Sequence, residues 1–267
     1  MNSRLQALID RGYQKEEVVR LSSFTEEELA ESAGAAFSHI SKNCTSVSKP
    51  EAIFVGGQPG SGKSTIALEI KNQNKNITEI GIDNYRMYHP NYLAIERLIN
   101  SYWKDKEETI YDSPGNDMAD FTQEFAGKMS DLLTIMGLKK NCNMLLEWSM
   151  REPNSPIDIM NKLKAAGYSI TVIFVIKNKE ESFKSCNVRS ETFSKVNHIV
   201  RKVSKYFHDL CVQSLPESID KIYITGKELN LFSRFVIINV DKEPLWIEET
   251  GNNPGEVIKH ILNNDWY

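Results

Sequence analysis

Residues 57–64 read Gly-Gln-Pro-Gly-Ser-Gly-Lys-Ser, which fits the spacing G-x-x-x-x-G-K-[S/T] of a phosphate-binding loop. The apolar stretch 52–55 comes directly before this loop, and a helical pattern begins at about Lys63. Glycines let backbone N–H groups approach a phosphate closely, and the N-terminus of the following helix attracts the same anion. The sequence therefore predicts a strand, a phosphate-binding loop and a helix in that order, with a nucleoside triphosphate as the ligand.

The loop also indicates which residues contact the nucleotide. Lys63 supplies a positive charge for the β- and γ-phosphates, and Ser64 supplies a hydroxyl for Mg²⁺. We predict that ATP or GTP is the phosphoryl donor and that Mg²⁺ accompanies it. The predicted nucleotide-binding residues are Gly57, Gln58, Pro59, Gly60, Ser61, Gly62, Lys63, Ser64 and Thr65.

Short apolar runs alternate with helical patterns along the rest of the chain. Strands are predicted at 52–55, 77–82, 144–146, 170–176, 222–225 and 235–240. Apolar strands separated by helices are typical of a parallel sheet that is covered on both faces. We therefore predict an α/β fold with a doubly wound, mainly parallel sheet of the P-loop kinase type, helices on both faces and a helical lid.

The polar stretch 43–50 ends in a proline and suggests a boundary. We predict an N-terminal helical segment over residues 1–50, in which Thr25 and Glu28 have the spacing of a capping box, and a P-loop kinase domain over residues 51–267. Between 177 and 205 the chain has eight Lys and Arg residues against three Glu residues. This basic segment fits a lid over phosphates, which we place at about 177–213.

The composition argues against several other classes of protein. The chain has 267 residues, of which 40% are hydrophobic and 25% charged, as in ordinary folded domains. No apolar run approaches the roughly 18–20 residues of a membrane helix, and the charged first twenty residues do not resemble a secretory signal. A net charge of −4 argues against a nucleic-acid partner. Four widely spaced cysteines favour a reduced, cytoplasmic protein. From the lack of a long apolar run we expect no membrane partner.

Two carboxylates follow predicted strands, at the edge where open α/β sheets bind ligands. Asp83 follows the second strand and Glu147 follows the third. A small-molecule kinase needs a carboxylate near the acceptor hydroxyl and another group near Mg²⁺, and lid arginines such as Arg189 and Arg201 can neutralise the transferring phosphoryl group. Other roles remain open: a turn cap for Asp83, a buried supporting residue for Glu147 and solvated helix positions for the arginines.

The chain resembles the zeta toxins, a family of bacterial toxin–antitoxin kinases of UDP-N-acetylglucosamine. The loop and its flank, residues 55–64, are close to the family form. The resemblance continues through Asp83, Tyr85-Arg86 and His89-Pro90-Asn91-Tyr92, through the helical segment 122–129, and through Arg201, Lys205, His208 and Asp209, with Arg189 at the position of an earlier lid arginine. In total it spans roughly residues 24–246.

The resemblance implies roles for these residues and an antitoxin as a possible partner. Asp83 would be the general base for the 3′-hydroxyl of the amino sugar, while Lys63, Arg189 and Arg201 would bind the triphosphate and the phosphoryl group in transfer. Glu147 would lie in the sugar pocket or beside the metal. The implied substrate-binding residues are Arg86, His89, Asp131, Glu147, Ser149 and Arg151.

The sequence departs from the family pattern on the acceptor side. Residues 147–149 read Glu-Trp-Ser where the family has Glu-Gly-Thr, and Asp131 is shorter than the usual glutamate. We expect Trp148 to pack against the sheet rather than on a base. Two alternatives to a sugar-nucleotide kinase therefore stay open: a kinase of another acceptor, such as a dinucleotide like NAD or an antibiotic, and a nucleotide-binding interaction module.

Overall fold

The computed structural model describes residues 2–109, 112–193, 203–246, 248 and 253–263, with the backbone alone for 189–193. The chain forms two compact units, each built from separate stretches of sequence. The first unit comprises Met1–His39, Ile82–Leu133 and Asn187–Lys205, and the second comprises Ile40–Gly81, Thr134–Cys186 and Tyr206–Tyr267. The domain boundary at residue 50 stays a prediction.

Six strands form one sheet in the described part of the second unit. They are β1 (Glu51–Gly56), β2 (Ile77–Gly81), β3 (Asn143–Glu147), β4 (Ser169–Val175), β5 (Arg234–Ile238) and β6 (Pro244–Trp246). Their spatial order is β2-β3-β1-β4-β5-β6, and every neighbouring pair is parallel except β5 with β6. The predicted mainly parallel sheet is thus confirmed.

Helices make up most of the remaining described chain. They are α1 (Ser3–Asp10), α2 (Lys15–Ser22), α3 (Glu26–Ile40), α4 (Lys63–Gln73), α5 (Tyr92–Trp103), α6 (Pro114–Lys139), α7 (Asn154–Ala165), α8 (Lys179–Phe193), α9 (Lys205–Glu228) and α10 (Pro254–Asn263), with a 3-10 helix over Ile82–Tyr88. The predicted capping box starts α3, because the Thr25 N–H donates to Glu28 and the Glu28 N–H donates to the Thr25 hydroxyl, at 2.8 and 3.1 Å. No helix in the described ranges is both long and apolar enough to cross a membrane.

Helices cover both faces of the sheet in the second unit. On one face, Ile66 of α4 packs into a cluster with Val55 and Val175. On the other face, Tyr223 of α9 meets Phe235 of β5 with ring centroids 5.1 Å apart. Side chains alternate between the two faces along each strand, so each strand contributes to both cores. This arrangement confirms the predicted doubly wound fold.

The first unit is helical, and the N-terminal residues are part of its core. Leu8 of α1 and Val18 of α2 are fully buried in a cluster with Ile95 and Ile99 of α5 and Phe121 of α6. Burying side chains of this size contributes roughly 1.5–3 kcal/mol each. The segment before residue 24 is therefore held by apolar packing against α5 and α6.

The structure corrects one predicted strand and adds another. Residues 222–225 lie within α9, where Ile219, Ile222 and Gly226 are buried at helical spacing. The short antiparallel strand β6 was not predicted. In the predicted lid, 177–213, α8 and the start of α9 are helical as expected, but residues 194–202 lie outside the described chain. The lid function stays a prediction.

Candidate active site

The phosphate loop joins β1 to α4 in the second unit, as the sequence predicts. Gly57 and Gly60 have φ angles of +137° and +77°. A Cβ atom at Gly57 would collide with the Val175 carbonyl oxygen, and one at Gly60 with the Ser182 carbonyl oxygen. Both positions therefore need glycine for conformation and for space.

The start of α4 is suited to bind an anion. Gly62 occupies the N-cap position with a φ of +105° and provides no capping side chain. The N–H groups of the first helical turn are thus not capped by a side chain at that position, and the helix dipole adds partial positive charge there. This is the geometry in which helix N-termini bind phosphates.

Two polar side chains of the loop hold it in place through hydrogen bonds. Lys63 Nζ donates to the Gln58 carbonyl oxygen at 2.9 Å, so the lysine side chain reaches back across the loop. The Gln58 side chain is fully buried, and its Nε2 donates to the Lys177 carbonyl oxygen beyond β4. Ser61 is also fully buried, whereas Ser64 and Thr65 are exposed. The loop is therefore fixed from inside the unit, with exposed hydroxyls at the start of α4.

Ser64 and Glu147 form a hydrogen-bonded pair. The Ser64 hydroxyl donates to Glu147 Oε1 at 2.9 Å. Glu147 is the last residue of β3 and pairs in register with Val55 of β1 and Gly81 of β2, at the carboxyl end of the parallel strands. Among the described residues there is no cluster of three or more His, Cys, Asp or Glu side chains that could hold a metal. A hydroxyl with one carboxylate fits Mg²⁺, which usually takes few protein ligands together with substrate phosphates and water.

Trp148, directly after Glu147, packs against the sheet. The Trp148 ring stacks on Phe54 with centroids 6.3 Å apart, and the Trp148 N–H donates to the Val55 carbonyl oxygen at 3.0 Å. Trp148 thus packs on the sheet as expected. Ser149 is half-buried, and Arg151 pairs with Glu152 at 3.4 Å. Substrate contacts of Ser149 and Arg151 stay predictions.

Asp83 lies in the 3-10 helix of the first unit and is held by Arg86. Arg86 Nε and Nη2 both donate to Asp83 Oδ1, at 3.0 and 2.8 Å. The same guanidinium donates to the Ala119 carbonyl oxygen, the Thr122 hydroxyl and the Gln123 amide oxygen of α6. The Asp83 side chain is 53% exposed, whereas that of Arg86 is 9% exposed. The carboxylate is therefore accessible, and the arginine beneath it is not.

His89 and Asp131 have contrasting environments in the first unit. His89 is buried, and its ring makes edge contacts with Phe24 and Phe125 at 5.9 and 4.9 Å. Its Nδ1 accepts the Asn91 N–H at 3.1 Å. Burial lowers the pKa of His89 to about 4, against smaller opposing effects from the Ser22 backbone and Glu28. Asp131 is exposed on α6. These contacts make His89 a core residue, and its predicted substrate contact remains untested.

The predicted lid arginines are only partly covered by the structure. Arg189 lies in α8, but its side chain is outside the described atoms, and Arg201 lies outside the described residues. The neighbouring His208 is fully buried in α9 and shares a hydrogen bond of 2.9 Å with Ser182 of α8. Nothing in the sequence around Ser182 indicated this contact, since the two residues are 26 positions apart.

Comparisons with known proteins agree on one family. A family model described as zeta toxin matches residues 35–248. Toxin PezT of Streptococcus pneumoniae serotype 4 is 27% identical over 251 residues, which cover 93% of this chain and 92% of that protein. A solved structure from the PezAT chromosomal toxin–antitoxin system of Streptococcus pneumoniae has a TM-score of 0.72 at 24% identity, covering 92% of this chain and 91% of that one. The AvrRxo1-ORF1:-ORF2 complex solved with ATP is a more distant likeness in fold, with a TM-score of 0.50 at 12% identity, covering 99% and 78%.

Proposed function

Because the chain belongs to the zeta toxin family, we propose that it is a kinase-type toxin that phosphorylates a sugar nucleotide. The γ-phosphoryl group comes from ATP or GTP, and the acceptor is the 3′-hydroxyl of UDP-N-acetylglucosamine. The observation that carries this proposal is the phosphate loop in its strand–loop–helix setting, with Ser64 bonded to Glu147. Such a loop suits a donor triphosphate, and we propose the acceptor from the resemblance to the zeta toxins.

The donor side of the reaction rests on the second unit. Lys63 and the N–H groups of the loop and of α4 bind the triphosphate. Ser64 and Glu147 would hold Mg²⁺, which neutralises phosphate charge when it is bound. Support for ATP comes from a fold relative, the AvrRxo1-ORF1:-ORF2 complex, which was solved with ATP. These substrates also favour a cytoplasmic location.

The transfer step is proposed to begin at Asp83. Its carboxylate accepts the proton of the acceptor hydroxyl, and the oxygen forms a bond to the γ-phosphorus while the bond to the β–γ bridging oxygen breaks. ADP or GDP leaves, and a phosphomonoester remains on the sugar. Two observations support this role: the Asp83 side chain is half-exposed, and Asp83 lies two residues after Gly81, whose partner in the sheet is Glu147.

We assign the remaining predicted residues to charge and substrate. Arg189 and Arg201 stabilise the phosphoryl group in transfer. Asp131, Ser149 and Arg151, which are exposed or half-buried, are assigned to the acceptor together with Glu147. For Arg86 and His89 the internal contacts favour supporting roles over direct contact with the sugar.

An antitoxin is the proposed protein partner. The similar structure from Streptococcus pneumoniae comes from a toxin–antitoxin system, and this supports an antitoxin as the partner of this chain. An enzyme that consumes a sugar nucleotide would otherwise harm the cell that makes it.

The proposal is tested with purified protein, Mg²⁺, ATP or GTP, and a panel of sugar nucleotides, dinucleotides and antibiotics. We expect one acceptor to gain about 80 mass units, the mass of one phosphoryl group, detected by mass spectrometry. Asp83→Ala should bind ATP almost normally but form no product, and Lys63→Ala should lose both. Asp158→Ala, at an exposed position of α7, is the control and should match the wild type. Wild-type turnover in Asp83→Ala would contradict the proposed mechanism.

A further inference from the structure

Arg86 has an unusual environment for a residue beside a proposed active-site carboxylate. Most arginines place the guanidinium in water and bury only the stem. Here the side chain is 9% exposed, while the Asp83 side chain that it contacts is 53% exposed. The arginine lies underneath the carboxylate and does not extend past it to the surface.

The hydrogen bonds of Arg86 account for every donor of its guanidinium. An arginine has five N–H groups in a fixed planar fork. Nε donates to Asp83, Nη2 donates to Asp83 and Gln123, and Nη1 donates to the Ala119 carbonyl oxygen and the Thr122 hydroxyl, at distances of 2.7–3.2 Å. Because all five N–H groups of Arg86 donate to partners within the protein, a substrate phosphate or hydroxyl could bind the arginine only by displacing one of these hydrogen bonds.

The two N–H groups of the Arg86 fork constrain the position of the Asp83 carboxylate. Two N–H groups converge on Oδ1, so this oxygen cannot move away without lengthening or bending one of these bonds. The three remaining bonds attach the guanidinium to one turn of α6. Asp83 belongs to a short 3-10 helix, and the arginine ties it to a helix of 26 residues.

We propose that Arg86 is a positioning residue that holds the Asp83 carboxylate in its reactive position and does not itself bind the acceptor. This inference rests on the proposed role of Asp83 as general base. It assigns α6, through Thr122 and Gln123, as the support of the base. A displacement of a catalytic group by about 1 Å can lower the rate about 10²-fold, so loss of the fork should affect turnover.

The test compares kcat and KM in variants of the full chain, using the acceptor identified above. Arg86→Gln should lower kcat about 10²-fold and change the KM for the acceptor less than about threefold. Arg86→Lys keeps the charge but not the planar fork, and it should recover only part of the kcat that is lost in Arg86→Gln. In Arg86→Ala, added guanidinium should restore some of the turnover. Gln123→Ala removes one support and should lower kcat severalfold at unchanged KM.

Arg97→Gln, an exposed arginine of α5 in the same unit, is the control and should behave as wild type. If Arg86→Gln does not fold, the test uses Gln123→Ala instead. An unchanged kcat in that variant overturns the inference. A raised KM at normal kcat in Arg86→Gln would make the arginine a substrate ligand and also overturn it. Normal kcat in Arg86→Gln while Asp83→Ala is inactive refutes the positioning role alone. Absence of product from the wild type refutes the proposed function, and the positioning role with it.

Discussion

His89 links the stability of the first unit to pH. Burial lowers its pKa in the folded protein to about 4 from a reference value of 6.5, so the unfolded chain takes up the proton first as the pH falls. The free energy of unfolding should therefore decrease as the pH is lowered from about 6.5 to about 4. A pKa shift of this size corresponds to a change of about 3 kcal/mol in the free energy of unfolding. Denaturant titrations across this pH range measure it.

The matched variant is His89→Asn, whose amide oxygen can still accept the Asn91 N–H. The variant should lose stability less steeply with falling pH, although it leaves space between the rings of Phe24 and Phe125. His260→Asn, at an exposed position of α10, is the control and should follow the wild-type curve. Parallel curves for wild type and His89→Asn would contradict the proposed effect.

The residues that the sequence predicted well are those that lie next to one another in the chain. The loop from Gly57 to Ser64 has a local sequence pattern that predicts its conformation, and Gly57, Gly60 and Gly62 all have positive φ angles. The contacts of Arg86 could not be predicted, because its partners on α6 are 33 to 37 residues away. The family resemblance implied substrate binding for Arg86, and the fold shows that its side chain is buried.

At the scale of elements, α8 and α9 are joined beside the phosphate loop. Ser182 of α8 and His208 of α9 are both fully buried and share a hydrogen bond, while Lys179 and Asp209 pair at 3.3 Å. The Ser182 carbonyl oxygen also lies against Gly60. The packing of α8 and α9 therefore determines the position of a group that contacts the loop.

Ser182→Ala should destabilise the protein by about 1–3 kcal/mol, because the His208 ring nitrogen would be left without this buried bond. It should also weaken ATP binding if Gly60 moves with α8. Ser185→Ala, in the same helix but partly exposed, is the control and should cost less than about 1 kcal/mol. Chemical denaturation and calorimetric titration with ATP measure the two effects. Equal stability of both serine variants would show that the contact contributes nothing.

The predicted strands are confirmed where an apolar run is compatible with a strand and not with a helix. Strands β1 to β5 match their predicted positions, because parallel strands buried on both faces are almost entirely apolar. Residues 222–225 read Ile-Tyr-Ile-Thr, a composition that favours a strand, yet their neighbours on α9 continue a helical stripe that packs on the sheet. Tertiary packing overrode the local preference. Strand β6 has three residues, too few for a periodic signal.

At the scale of the whole molecule, a buried ionic network holds the N-terminal segment in the first unit. Asp117 of α6 is fully buried and accepts hydrogen bonds from Arg11, from the Tyr13 hydroxyl at 2.6 Å and from Trp103 Nε1 at 2.7 Å. Asp120 also pairs with Arg11. This network could not be predicted from sequence, because its members come from three separate stretches of the chain.

Asp117→Ala should lower the free energy of unfolding by about 3–5 kcal/mol, because it removes the buried acceptor of Tyr13 and Trp103 and one carboxylate partner of the half-buried Arg11. Asp112→Ala is the control: this carboxylate is 50% exposed and 3.9 Å from Arg11, so its loss should cost less than about 1 kcal/mol. Thermal and denaturant unfolding of the two variants provide the comparison. A small effect of Asp117→Ala would mean that apolar packing alone retains residues 2–22.

The stacking of Trp148 on Phe54 has a practical consequence. It holds an indole in one orientation, one residue from the carboxylate that bonds Ser64. Indole emission responds to nearby charge, so we expect this fluorophore to report, without an attached dye, the binding of the proposed divalent ion and nucleotide. Stopped-flow spectroscopy could then time donor binding separately from the later chemical step.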